Sequence, residues 1–295
     1  MRALGVGDIL DGAFRLLRAS FGRIALLVLM VVGPVQFLSA FMITRVLPDA
    51  FVSPDPFMTP DMGQDVPMLD DEALASLFSA TAVTGLLGFV VHVIVSGAIV
   101  WLVLREDTGA RIAPGQALRA GLGRAWPLLG GSALIGLLWL GVGGVLLAVV
   151  AVLFVAAWPL AILVAVPGFV LVVGLATVTT SLVVPVAIVE TDVGAVRAAG
   201  RALGLVRRRL ARMLGVTLLV MLVLLVVTFA VGMLLGVISV LAGPVGWVVD
   251  GVTNALVAVV TTPVTALAAL LLYVDARVRL EGWDLQLRAR PRPPG

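Results

Sequence analysis

Residues 125–189 read AWPLLGGSALIGLLWLGVGGVLLAVVAVLFVAAWPLAILVAVPGFVLVVGLATVTTSLVVPVAIV, and none of these 65 residues is charged. A run of about 18 apolar residues is already long enough to cross a bilayer. The stretch therefore has room for two helices and a tight turn, whereas four crossings would need about 80 residues. Trp158-Pro159 is the expected turn, because proline cannot continue the helical hydrogen-bond ladder. Arg124 precedes the run, and Arg197, Arg201, Arg207, Arg208, Arg209 and Arg212 follow it. Arginine beside a span marks the cytoplasmic side. Both ends of the run are thus expected on one side, and the number of crossings is even.

Working outward, residues 24–44, 73–104, 213–249 and 251–274 are also free of charge. Six spans are expected, at about 24–44, 83–104, 127–153, 161–186, 213–240 and 252–274. With the N-terminus inside, 19 of the 20 arginines face the cytoplasm and only Arg45 lies outside. The reverse threading would violate the charge rule almost completely. The acids Asp49, Asp55, Asp61, Asp65, Asp70, Asp71 and Glu72 fall in an outer loop, 45–72, and Asp250 in a short outer turn. Five prolines in that loop argue for extended chain, with Asp70 or Asp71 capping the second span. Asp8 and Asp11 sit where a signal peptide would be basic, so the run from Ile24 is expected to be a retained first span.

Composition agrees. The chain is 61% hydrophobic and 13% charged, against about 25% charged in a soluble domain. A pI near 10.8 would suit nucleic acid. The arginines, however, are spread over short loops beside spans, where they act as topology signals and contacts to anionic lipid headgroups. Cysteine is absent, so there is no disulfide or thiolate metal site. The expectation is an all-α integral membrane protein of the bacterial cytoplasmic membrane. Residues 1–285 form a single membrane domain and 286–295 a disordered Arg/Pro tail. Both termini are cytoplasmic.

Three segments share one form, an Arg-bearing amphipathic stretch followed by a span: 8–23, 114–126 and 194–213. In the first, Ile9, Leu10, Ala13, Phe14, Leu17 and Phe21 recur at helical spacing, as in a helix lying at the membrane interface. The even-numbered spans end alike, in LREDTG, IVETDVG and YVDARVR. Their acids Glu106, Glu190 and Asp275 are 84 and 85 residues apart. The pattern implies three repeats of interfacial helix, span in and span back. An acid at a helix C-terminus opposes the helix dipole, so each of these needs a compensating partner, for which arginines of the interfacial helices are the candidates. The cluster Asp8, Asp11, Glu106, Glu190, Asp275, Arg277, Arg279 and Glu281 is therefore either a set of architectural latches or a ligand or partner site. The tail 275–285 is expected to fold back on the bundle, pairing with a residue such as Asp8, Asp11, Arg15, Arg119 or Arg201.

The ends of the chain, Leu4-Gly5-Val6-Gly7-Asp8-Ile9-Leu10-Asp11-Gly12-Ala13-Phe14 and Leu272-Tyr273-Val274-Asp275-Ala276-Arg277-Val278-Arg279-Leu280-Glu281-Gly282-Trp283-Asp284-Leu285, resemble both ends of a bacterial family. It is the family named after the membrane domain of glycerophosphoryl diester phosphodiesterase. The resemblance implies a six-span bundle without the separate catalytic domain.

His92 is the only histidine, and it falls near the middle of the second span. It is either a functional group or a neutral imidazole bonded to a neighbouring helix. Gln36 and Asn254 are the other candidate intramembrane polar groups. A single histidine rules out the usual catalytic dyads, triads and metal sites, and without lysine there is no P-loop. No cofactor and no enzyme activity are expected. Gly232-x-x-x-Gly236 and Gly136, Gly141, Gly143 and Gly144 suit close helix packing, within the chain or in a homodimer. Pro34, Pro185 and Pro263 sit inside spans, where they kink helices or open backbone carbonyls. The expected function is a non-enzymatic scaffold or assembly partner, with lipids, other membrane proteins or a second copy as partners. The alternative is a carrier or flippase-like protein for a lipid or amphiphile. A polar-lined cavity reaching His92, Gln36 or Asn254 separates the two.

Overall fold

The computed structural model describes residues 6–46, 71–106, 112–190 and 192–281. Among them there is no strand. The helices are α1 (Val6–Ala19), α2 (Phe21–Val46), α3 (Asp71–Glu106), α4 (Pro114–Gly123), α5 (Ala125–Val189), α6 (Ala195–Arg208), α7 (Leu210–Leu241) and α8 (Gly246–Glu281), with a 3-10 turn at Gly243–Val245. Five helices, α2, α3, α5, α7 and α8, are long and apolar enough to cross a membrane. The outer loop beyond Val46 and the tail beyond Glu281 lie outside the described residues. α3 is described from Asp71 on, and Asp70, the other capping candidate, lies outside the described residues.

α5 is a hairpin. Ala157, next to Trp158-Pro159, has φ −161° and ψ 87°, which is extended rather than helical. Beyond it the chain returns along its own first arm. A methyl placed on Gly168 would fall 2.9 Å from Leu146 Cδ1, and one on Gly131 2.8 Å from Val183 Cγ1. Between these contacts, Trp139 Nε1 donates to Thr179 Oγ1 at 2.8 Å. Each step away from the turn on one arm is matched by a step on the other. Proline supplies the break, since it lacks the N–H that would bond a carbonyl one turn back.

α8 is the central helix. α2 packs antiparallel against it, with Phe37 over Gly251 and Phe41 meeting Trp247 edge-on at 5.3 Å between ring centroids. At its other end α1 crosses it, with Gly12 against Leu271. The core lies in the half of the bundle where α2 starts and α3, α5 and α8 end. Ile24, Ile99, Leu182, Leu267 and Tyr273 are fully buried there.

The short helices seal that end. Ile9, Ala13 and Leu17 of α1 and Ala198, Ala202 and Leu205 of α6 are buried, whereas Phe21 is exposed. Their apolar stripes face protein, which corrects the expectation of helices lying with the apolar side in lipid. The docking surfaces are α8 for α1, α3 for α4 and α5 for α6.

The within-chain alternative of the glycine expectation is corrected as well. Gly136, Gly141, Gly144, Gly232 and Gly236 have open space where a Cβ would be, and Gly143 has only an ordinary contact with Val172 at 3.9 Å. The close approaches are made elsewhere. At Gly121 a Cβ would sit 2.9 Å from the Ile94 carbonyl oxygen, so α4 touches the backbone of α3. In the most apolar windows of α5 and α7 only 6% of residues are buried inside the chain. In a bilayer those surfaces face lipid, and a helix apolar all round is what such a position requires.

Candidate functional site

Three carboxylates are latched at the sealed end. Glu106, the last residue of α3, accepts a hydrogen bond from Ser20 Oγ and meets Arg23 Nη1 at 2.5 Å. Glu190, just past α5, receives Arg201 Nε on both oxygens, at 3.1 and 3.2 Å, and the Tyr273 hydroxyl on Oε1 at 2.8 Å. Asp275 takes Arg279 Nε at 2.8 Å and Arg212 Nε at 3.3 Å. Glu106 and Glu190 end their helices, where the dipole opposes negative charge and a guanidinium offsets it. Asp275 does not, because α8 runs on to Glu281.

Tyr273 is fully buried and links α8 to the end of α5. Its hydroxyl donates to Glu190 and accepts from Arg277 Nη1 at 3.2 Å. Asp275 and Arg279 pair within one turn of α8. Of the expected tail, residues 275–280 continue α8 as one helix, and one of its charges, Asp275, pairs with Arg212. Residues 282–285 and the Glu281 side chain lie outside the described part. Arg212 lies in the expected 194–213 stretch, but on the first turn of α7. Asp8 and Asp11 are exposed on α1, which packs along α8.

The latching arginines had a signal. Leu17-Arg18-Ala19-Ser20-Phe21-Gly22-Arg23, Leu118-Arg119-Ala120-Gly121-Leu122-Gly123-Arg124 and Val206-Arg207-Arg208-Arg209-Leu210-Ala211-Arg212 share one spacing. The last arginine of each stands at or next to the start of a span. In the first and third, that arginine reaches an acid, Arg23 meeting Glu106 and Arg212 meeting Asp275. In the second, Glu190 takes Arg201 from the following helix.

A second constellation lies deeper. A cavity of about 320 Å³ opens between α3, the returning arm of α5 and α8. Its polar lining is His92 and Ser96 of α3, Thr177, Thr180 and Ser181 of α5, and Thr265 of α8. Counted at about 1.5 Å per residue, His92 is about 21 Å from Glu106 and Thr265 about 15 Å from Asp275. With the latched end at one edge of a hydrocarbon core about 30 Å thick, the cavity would lie near its middle. Ser181 Oγ donates to the Val178 carbonyl at 3.1 Å, and Thr265 Oγ1 to the Thr261 carbonyl at 2.8 Å. Hydroxyls satisfied by their own helix keep lone pairs that can accept from a guest.

His92 is exposed at this cavity and has no hydrogen-bond partner among the described residues. The reading of an imidazole bonded to a neighbouring helix is corrected accordingly. Gln36 is half-buried on α2 and Asn254 exposed on α8, and neither lines the cavity. The hydroxyl cluster had a signal in Thr177-Val178-Thr179-Thr180-Ser181, a polar run inside an otherwise apolar span. Among the described residues, no group of three His, Asp or Glu side chains could hold a metal ion.

A family described as "Domain of unknown function (DUF7847)" matches residues 4–280, and the chain belongs to it. No curated protein and no solved structure matches the chain.

Proposed function

We propose that this member of the family is a non-enzymatic carrier, or flippase-like protein, for a lipid or other amphiphile. The proposal places six spans in three hairpin repeats across the bacterial cytoplasmic membrane, with both termini and the latched end in the cytoplasm. The α5 hairpin and the 19-to-1 arginine split support this threading. The likeness of the chain ends to the phosphodiesterase membrane-domain family is part of the same proposal, and it brings no hydrolytic chemistry with it.

The observation that carries the function is the cavity at His92. A polar group in hydrocarbon without a partner costs free energy. Ionisable residues inside a membrane face cavities and pathways. Six polar side chains from three helices around one opening therefore read as a seat for a polar head that must pass the apolar zone. None of the six carries a fixed charge, so the seat suits hydroxyl, ester or amide groups.

The test is reconstitution into phosphatidylcholine liposomes carrying a trace of fluorescent lipid, with a membrane-impermeant quencher added outside. A scramblase-like carrier exposes the inner-leaflet probe as well, and His92→Leu with Thr180→Val slows that exposure at least tenfold. Loss of only the outer-leaflet signal, as in protein-free liposomes, refutes the carrier.

The second reading is the scaffold or assembly partner, and the uncovered Gly232 and Gly236 on α7 favour it. Small residues there let a helix of a second copy approach closely. A monomer in a lipid nanodisc counts against it.

A further inference from the structure

Among the described residues, no charged side chain lines the cavity at His92. Along the three lining helices, Arg105, Glu190 and Asp275 stand nine or ten residues from the nearest polar lining residue, about 14–15 Å at about 1.5 Å per residue. The hydroxyls divide into two kinds. Ser181 and Thr265 have given their hydrogens to the Val178 and Thr261 carbonyls, so toward a guest they only accept. Ser96, Thr177, Thr180 and His92 have no hydrogen-bond partner among the described residues, so they can donate as well. Ser96 is only 3% exposed, and a hydroxyl so buried is ordinarily bonded. His92, one turn farther from the latched end, is exposed. The cavity is therefore open beside His92 and enclosed at Ser96.

We propose, resting on the carrier reading of this cavity, that its guest is an uncharged acylated polyol with a free hydroxyl, of the diacylglycerol type, and not a phospholipid. Such a head answers both kinds of group in the seat. Its hydroxyl donates to the lone pairs of Ser181 or Thr265. Its ester carbonyls accept from Ser96, Thr177, Thr180 or the His92 N–H. A phosphodiester brings a negative charge that no lining residue neutralises, and an unpaired charge taken out of water costs far more than an unpaired hydroxyl. The head enters beside His92 and reaches toward Ser96, while the acyl chains stay on the open side, in the bilayer.

The test is competition for photolabelling. The full chain, in phosphatidylcholine nanodiscs, is labelled with a diacylglycerol that carries a diazirine on its acyl chain close to the glycerol. Peptide mass spectrometry maps the adduct, which is expected on the lining segments 89–96, 176–184 or 265–266. Unlabelled dioleoylglycerol displaces the label. Its methyl ether keeps both esters but cannot donate, and is expected to compete about fivefold less well, the effect of one hydrogen bond. Phosphatidylglycerol in the same amount leaves the label in place. In Ser181→Ala/Thr265→Val, which lacks the accepting pair, alcohol and ether become equal competitors, and displacement by the ether shows that the variant is folded. Equal competition by alcohol and ether on the wild type overturns the proposal. So does displacement by phosphatidylglycerol as strong as by dioleoylglycerol, or label outside the lining segments. If the double variant does not fold, the wild-type comparison decides alone. Selective labelling without lipid exchange in liposomes would refute the carrier and leave the guest class standing. Exchange of a fluorescent phospholipid, slowed by His92→Leu with Thr180→Val, without diacylglycerol labelling would do the reverse.

Discussion

Replacing Glu190 by alanine removes the acceptor of the fully buried Tyr273 hydroxyl and the partner of Arg201. The two losses differ in size. A hydrogen bond to a charged acceptor is worth about 1.5–3 kcal/mol. The Arg201 side chain is 37% exposed, so its pairing is screened and contributes only about 0.2–1 kcal/mol. The expected cost is about 2–4 kcal/mol, which for a chain of this size lowers the unfolding midpoint by roughly 4–8 °C. Glu190→Gln keeps an acceptor for Tyr273 and is expected to cost only about 1 kcal/mol. Tyr273→Phe keeps the buried ring and removes only the hydroxyl. The cycle of Glu190→Ala, Tyr273→Phe and the double variant should give a coupling of about 1–2 kcal/mol. The assay is loss of the monodisperse peak in fluorescence-detected size exclusion after heating, at one detergent concentration and one heating rate, because the readout is kinetic. Additive single variants would show that Glu190 and Tyr273 do not bond between α5 and α8, and would refute the latch.

Gly121→Ala pushes a methyl to 2.9 Å from a backbone carbonyl and should destabilise by about 1–3 kcal/mol, whereas Gly232→Ala meets open space and should be neutral or stabilising by up to about 1 kcal/mol. The same heating assay ranks them. Single cysteines introduced into this cysteine-free chain give the threading: an impermeant maleimide should label position 60 in intact cells and not positions 115, 200 or 290. Pure protein should not hydrolyse glycerophosphodiesters with any added divalent metal; hydrolysis abolished by a point substitution in this chain would overturn that expectation.

The long helices were legible because charge is absent over long stretches and returns only at their ends. The α5 turn was legible because Trp158-Pro159 breaks an otherwise unbroken run. The latches were half legible. Repeat spacing found Glu106, Glu190 and Asp275, but Tyr273 joins Glu190 through packing, and no local pattern encodes a partner 83 residues away. Which glycines pack within the chain was not legible for a related reason. α5 and α7 are apolar on every side, so periodicity does not say which side meets protein. Gly131 packs while Gly136, little more than a turn later, is open. The cavity escaped because its six polar groups come from three helices, with His92 and Ser96, Thr177, Thr180 and Ser181, and Thr265 far apart in sequence. His92 was noticed as a lone histidine, but its surroundings depend on how α3 rotates against α5 and α8.

The carrier reading is tested most directly by blocking the His92 cavity reversibly. Ser181→Cys is nearly isosteric and places a thiol in the cavity lining, while Leu140→Cys places one on an exposed, lipid-facing position 74% accessible. Both variants are reconstituted with the fluorescent lipid, treated with a bulky thiosulfonate and then with a reductant. Modification at Ser181→Cys is expected to reduce lipid exchange to the protein-free rate, the reductant to restore it, and Leu140→Cys to be unaffected throughout. Equal rates before and after modification of Ser181→Cys would contradict the carrier reading.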